Sequence, residues 1–169
     1  MPPRGGQADL TDSELRAAVL YMFNPAGASS GAAPFATHVP PGASGTEKII
    51  GGLRIFVGFT PAEAMKAFPP GSVERKMHGG APVGPGYYHL NVSLFDRMSN
   101  DPVRDAKVEA RIERAGLGGQ TKTLELMSLG TASYGGYVRA APQLSYEVTL
   151  RIRTADSPNP VEWRFEHTF

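Results

Sequence analysis

The sequence predicts a mainly β fold over residues 48–169: an immunoglobulin-like antiparallel β-sandwich of about seven strands, preceded by one short α-helix and a flexible linker. Three observations carry this. Apolar and polar residues alternate with period two in several runs, Gly/Pro/Asn/Asp clusters separate those runs, and no stretch of helical periodicity intervenes between them.

Residues Leu10 to Phe23 form the predicted helix. Leu15, Ala18, Val19 and Met22 share one face, Thr11 and Glu14 make a capping box, Leu10 lies where it can staple against Leu15, and Asn24-Pro25 ends the helix. A lone helix of this length is marginal in water, so its apolar face needs a partner surface. From Asn24 to Gly45, 17 of 22 residues are Gly, Ala, Ser or Pro, so residues 24–47 read as a linker.

The strands follow. Leu53, Ile55, Val57 and Phe59 alternate with Arg54, Phe56 and Gly58; Leu90, Val92 and Leu94 alternate with His89, Asn91 and Ser93. Val108, Ala110 and Ile112 then oppose Lys107, Glu109, Arg111 and Glu113. Leu144 to Arg153 and Val161 to Glu166 repeat the pattern, and Thr121 to Met127 and Tyr134 to Arg139 supply two shorter runs. Turns are expected at Ser99 to Pro102, Gly116 to Gly119, Gly135-Gly136 and Asp156 to Pro160. Tyr146 is placed to serve as a tyrosine corner. Pro61 to Phe68 reads as a short helix or a loop, and Pro69 to Gly86 as a long irregular excursion, a kind of segment that often carries function.

Seventeen Lys and Arg against 16 Asp and Glu leave a net charge of +1 with both signs scattered, which argues against nucleic acid and anionic lipid as partners. With no Cys, the chain has no disulfide, thiolate metal site, Cys nucleophile or thioether haem attachment. No apolar run reaches the ~20 residues of a membrane helix, and the start at Met1 lacks the basic and apolar regions of a signal peptide. A nucleophile elbow, a phosphate-binding Gly loop and a metal-hydrolase helix are all missing, and Glu109 and Glu125 lie on predicted wet faces, so the expectation is a protein that is not an enzyme.

Met1-Pro2-Pro3-Arg4-Gly5-Gly6, followed by the capped helix to Met22, resembles the C-terminal end of class I c-type cytochromes of the c5 kind. The resemblance implies that residues 1–23 are a cytochrome-like tail and that Met1 corresponds to the haem axial ligand. Haem is then expected only in a longer parent protein, since C-x-x-C-H is absent here and axial ligation needs a pocket made by a whole fold. Tyr88 to Asp96 with Asp101 to Val108 is similar to the opening hairpin of FixH-like and YtkA-like extracytoplasmic domains. Leu124 to Met127 with Ser133-Tyr134-Gly135 resembles the periplasmic iron-transport β-sandwich family, whose copper site uses His, Met and Glu. In that family a His precedes the Tyr, where this chain has Ser133. A periplasmic location, copper or iron as the ion, and a haem-bearing or membrane redox partner are what these resemblances imply.

Taken from the residues alone, the candidate metal ligands are Met77, His78, His89, Met127 and His167. Imidazole and thioether together suit copper, particularly Cu(I). Each has a plainer reading: Met77 to Gly80 as a turn with an exposed His, His89 as a solvated strand residue, Met127 as a gap-filling side chain, and His167 as a core-edge histidine. Two functions are therefore expected from the sequence. One is an extracytoplasmic accessory sandwich of a truncated cytochrome fusion that binds or hands over a metal ion or supports electron transfer. The other is an immunoglobulin-like interaction domain without metal chemistry, with Tyr87, Tyr88, Tyr134 and Tyr137 as contact anchors.

Overall fold

The computed structural model describes residues 44–169, except Leu117, residues 128–132 and Pro158. The helix expected over Leu10–Phe23, most of the linker and Met1 lie outside the described residues.

Eight strands form: β1 (Ser44–Ile50), β2 (Leu53–Pro61), β3 (Tyr87–Asp96), β4 (Lys107–Arg114), β5 (Gly118–Leu126), β6 (Ser133–Arg139), β7 (Ser145–Arg153) and β8 (Val161–Thr168). They hydrogen-bond in the order β1-β2-β3-β6-β5-β4-β7-β8, every neighbouring pair antiparallel. Between β5 and β6 the ladder has only two pairs, Glu125↔Gly135 and Leu126↔Tyr134. The result is one eight-stranded antiparallel sheet that nearly closes into a barrel, where the sequence predicts an immunoglobulin-like sandwich of about seven strands; period-two alternation marks an inner face in both and does not distinguish them.

Its interior is the apolar half of the alternation. Ile55, Val57 and Phe59 on β2, Leu90, Val92 and Leu94 on β3, Val108, Ala110 and Ile112 on β4, and Val148, Leu150 and Ile152 on β7 are all buried, with Trp163 closing the set from β8. At about 1.5–3 kcal/mol for each large side chain so buried, this core dominates the stability of the domain.

Three expectations are corrected. An eighth strand, β1, occupies residues assigned in part to the linker; it pairs along the whole of β2 through a two-residue turn at Gly51-Gly52, whose positive φ values of 58° and 78° suit a tight hairpin. Strand β5 begins at Gly118, inside the expected turn. Gly135-Gly136 is not a turn: both residues lie inside β6, paired with Asn91 and Leu90 of β3. Tyr146 does anchor a corner, its hydroxyl accepting the Ala141 N–H at 3.0 Å.

Between β2 and β3 the chain leaves the sheet for residues 62–86. A 3-10 helix over Ala62–Ala67 packs on β2 and β3 and buries Ala62 and Met65. A single α-helical turn, α1 (Val73–Lys76), follows and leads into a 3-10 turn, Met77–Gly79, that lies on β6. This excursion covers the face of the sheet that the alternation marks as wet. No helix among the described residues is long and apolar enough to cross a membrane.

Candidate metal centre

On β3 the residues facing away from the core are His89, Asn91 and Ser93; on β6 they are Ser133, Gly135 and Tyr137, paired in register with them. Glu125 on β5 pairs with Gly135 from the other side, and Met127, just past that strand, donates its backbone N–H to Ser133 O at 2.8 Å. His89 and Met127 therefore flank Gly135 diagonally from the two strands on either side of β6.

Gly135 has an ordinary backbone conformation, so its lack of a side chain serves space rather than a turn. A Cβ built there would lie 2.8 Å from His78 Nε2, 2.9 Å from His89 Nε2 and 2.9 Å from Met127 Sδ. Two imidazole nitrogens and one thioether sulfur thus surround a single point.

The second imidazole arrives from the excursion. Buried Met77 anchors the turn, and the Gly80 N–H returns to Met77 O at 2.9 Å. Between them His78 adopts left-handed backbone angles, φ 54° and ψ 32°, uncommon for a residue with a side chain and a form of strain that gathers at functional sites. That conformation turns the ring down onto the sheet, where it stacks on His89 with centroids 5.3 Å apart and planes inclined by 27°. His78 Nδ1 lies 3.1 Å from Glu125 Oε2, while Nε2 is buried and has no hydrogen-bond partner among the described residues. Tyr137 walls the site, its ring edge-on to His89 at 5.3 Å and to His78 at 6.1 Å.

Burial, and secondarily the neighbouring His78, lowers the pKa of His89 to about 4. Its imidazole is neutral at pH 7, the form that ligates a metal. Burial also raises the Tyr137 phenol, which stays protonated. Two imidazole nitrogens and one thioether, without thiolate, match a soft monovalent ion such as Cu(I) and not a closed structural zinc site.

Of the five ligands expected from sequence, His78, His89 and Met127 come together. Met77 is the buried anchor of the turn and is not among the atoms around the Gly135 point. His167 lies on the core side of β2, stacked on Phe59 at 4.2 Å and edge-on to Phe169 at 4.6 Å, across that sheet from His89. Met1 lies outside the described residues. Position 133 carries no imidazole: Ser133 Oγ pairs with Ser93 Oγ at 2.7 Å, beside the site. The sequence reading missed Gly135 and Glu125, for which a double glycine inside a β-periodic run and an acid sharing the parity of Met127 were the signals. A separate cleft of about 610 Å³, lined in part by Arg114, Gln120 and Arg139, opens at one end of the barrel and holds no soft donor.

No family model and no curated protein matches the chain. Solved structures do. A DUF4426 family protein from Pseudomonas aeruginosa PAO1 superposes with a TM-score of 0.55 at 14% identity, covering 74% of this chain and 94% of its own. A copper-bound single-residue variant of FetP from uropathogenic Escherichia coli strain F11 gives 0.54 at 13%, covering 75% and 95%. FetP "as isolated" from the same strain, recombinantly expressed, gives 0.54 at 12%, covering 75% and 94%. The likeness is one of fold. It agrees with the β-domain resemblance read from Leu124 to Gly135, whereas nothing in these matches bears on the cytochrome-like tail.

Proposed function

We propose that this domain binds one copper ion as Cu(I) through His78 Nε2, His89 Nε2 and Met127 Sδ, as a carrier rather than an enzyme. The observation that supports the reading is the convergence of those three atoms within 2.9 Å of one point over Gly135. A buried imidazole nitrogen without a partner costs roughly 1–3 kcal/mol, and an ion placed there gives His78 Nε2 a bond. Independent support comes from the fold shared with a protein of which a copper-bound variant has been solved.

The resemblance of Leu124 to Gly135 to the periplasmic iron-transport β-sandwich family, together with the fold shared with FetP, supports an extracytoplasmic location. The cytochrome-like character of residues 1–23 favours a haem-bearing partner for the ion or its electron. Both belong to the proposal.

Anaerobic titration of the purified protein with Cu(I) against bicinchoninate tests it. One equivalent is expected to bind with submicromolar affinity, about −8 kcal/mol or better, and X-ray absorption is expected to find two N and one S donor. Met127→Leu keeps the volume, loses the sulfur shell and weakens binding. A wild-type protein that takes up no Cu(I) would leave the interaction-domain reading in its place.

A further inference from the structure

His78 can serve the site only in one of its two neutral forms. A carboxylate accepts hydrogen bonds and cannot donate them, so the 3.1 Å contact between Glu125 Oε2 and His78 Nδ1 requires the proton on Nδ1. In a neutral ring Nε2 is then the bare nitrogen, and Nε2 is the atom 2.8 Å from the Gly135 point. With the proton on Nε2, the form an unassisted histidine side chain prefers, the ring would present a donor to a space already facing His89 Nε2 and Met127 Sδ. No metal could then use it.

Glu125 is well placed for this task. It pairs with Gly135 across β5 and β6, so the strand register fixes its distance from the site. Its side chain is 69% exposed and that of His78 is 7% exposed, so a solvated acceptor touches a ring held under cover. The other acidic contacts on the sheet surfaces are of a different kind: Glu47, Glu109, Glu113 and Glu162 each pair with an Arg or Lys.

We infer that Glu125 is a positioning residue for the metal centre: by accepting the Nδ1 proton of His78 it keeps Nε2 as a lone-pair donor and fixes the ring plane. Partners in this position outside the metal's own ligands are typically worth 10–100-fold in affinity. Solvent screening at an exposed carboxylate puts Glu125 at the lower end, about tenfold. The effect on affinity rests on the copper reading; the effect on the tautomer does not.

Two measurements separate the two claims. Long-range ¹H–¹⁵N correlation spectra of the metal-free protein, taken at about pH 8 where histidines are ordinarily neutral, report which nitrogen of His78 carries hydrogen. The wild type and Glu125→Gln, whose amide oxygen still accepts, are expected to hold Nδ1–H; Glu125→Ala is expected to move toward Nε2–H. In the bicinchoninate competition, Glu125→Ala weakens Cu(I) binding about tenfold, and Glu125→Gln stays close to wild type. An Nε2–H form in the wild type, an unchanged tautomer in Glu125→Ala, or an unchanged affinity in a protein that does bind Cu(I) overturns the inference. The expected tautomer shift in a protein that takes up no copper upholds the role of Glu125 and overturns the copper reading alone.

Discussion

Replacing Gly135 by Ala is the sharpest test of the site, because one carbon decides between the ion and its absence. The new methyl would meet His78 Nε2 at 2.8 Å and His89 Nε2 and Met127 Sδ at 2.9 Å. Copper bonds to imidazole and thioether are of the order of 2.0–2.3 Å, as in comparable metal sites. An ion in the plane of three donors at those lengths lies only about 2 Å from the methyl carbon, far inside any non-bonded contact. Methyl and metal therefore exclude each other, and the loss of Cu(I) affinity is expected to exceed the roughly hundredfold that changes beyond the ligands produce. The fold should survive the change at a modest cost. Gly135 has no positive φ to lose and Ala restricts the unfolded chain by about 0.4–1 kcal/mol, but the imidazoles it would crowd are buried and stacked and must shift, which costs about 1–3 kcal/mol. Thermal unfolding should thus show a small loss while anaerobic Cu(I) competition collapses. A Gly135→Ala protein that keeps wild-type affinity and a two-nitrogen, one-sulfur shell would refute the geometric reasoning.

In the metal-free protein, NMR titration of His89 should give a midpoint of about 4. Because the folded pKa lies below the ordinary 6.5, the unfolded chain binds the extra proton between those values; stability is full above pH 6.5 and falls by roughly 3 kcal/mol as pH drops toward 4, which urea unfolding across that range measures. Tyr134 Oη accepts the Ala106 N–H at 2.9 Å and donates to Val103 O at 3.1 Å; Tyr134→Phe should cost about 1–3 kcal/mol in the same assay, with Cu(I) affinity unchanged, since that side chain points to the core and away from Gly135.

The core was legible because its physics is local. A strand with one wet face must alternate, and the inward positions Leu53, Ile55, Val57 and Phe59, Leu90, Val92 and Leu94, and Val148, Leu150 and Ile152 are all apolar and buried. Strand β1 was not, since Gly45 to Lys48 carry no buried apolar face and are held by β2 alone. The parity that found the core misled at the site. His89 shares the phase of Asn91 and Ser93, which reads as solvated, yet it is fully buried because residues 62–86 fold back over that face. Nothing in the alternation of one strand reports a cover supplied by a segment elsewhere. Gly135-Gly136 was misread for a related reason: glycine punctuates turns, but it also marks where other atoms approach a strand closely, and the two uses look the same until the neighbours are in place.

Strand geometry explains why the donors are drawn from three places. Neighbouring strands lie about 4.8 Å apart, so His89 on β3 and Met127 beyond β5 stand on opposite sides of β6 and must lean across it to share one ion. They can meet only if the strand between them offers no side chain at that point, which Gly135 provides. Even then two donors reaching in from either side leave the top of the site open, and no strand of the sheet can close it, because every side chain on that face rises from the same plane. The third donor has to descend from a covering segment, and an L-residue placed at the tip of a tight turn to point downward carries backbone strain of roughly 1–3 kcal/mol. At His78 that strain is held by Met77 below, Gly79 and Gly80 behind and the Glu125 contact at the rim. It is small against the roughly 8 kcal/mol that accompanies micromolar binding, so an ion seated over Gly135 would hold His78 in its left-handed conformation and tie the excursion to the sheet.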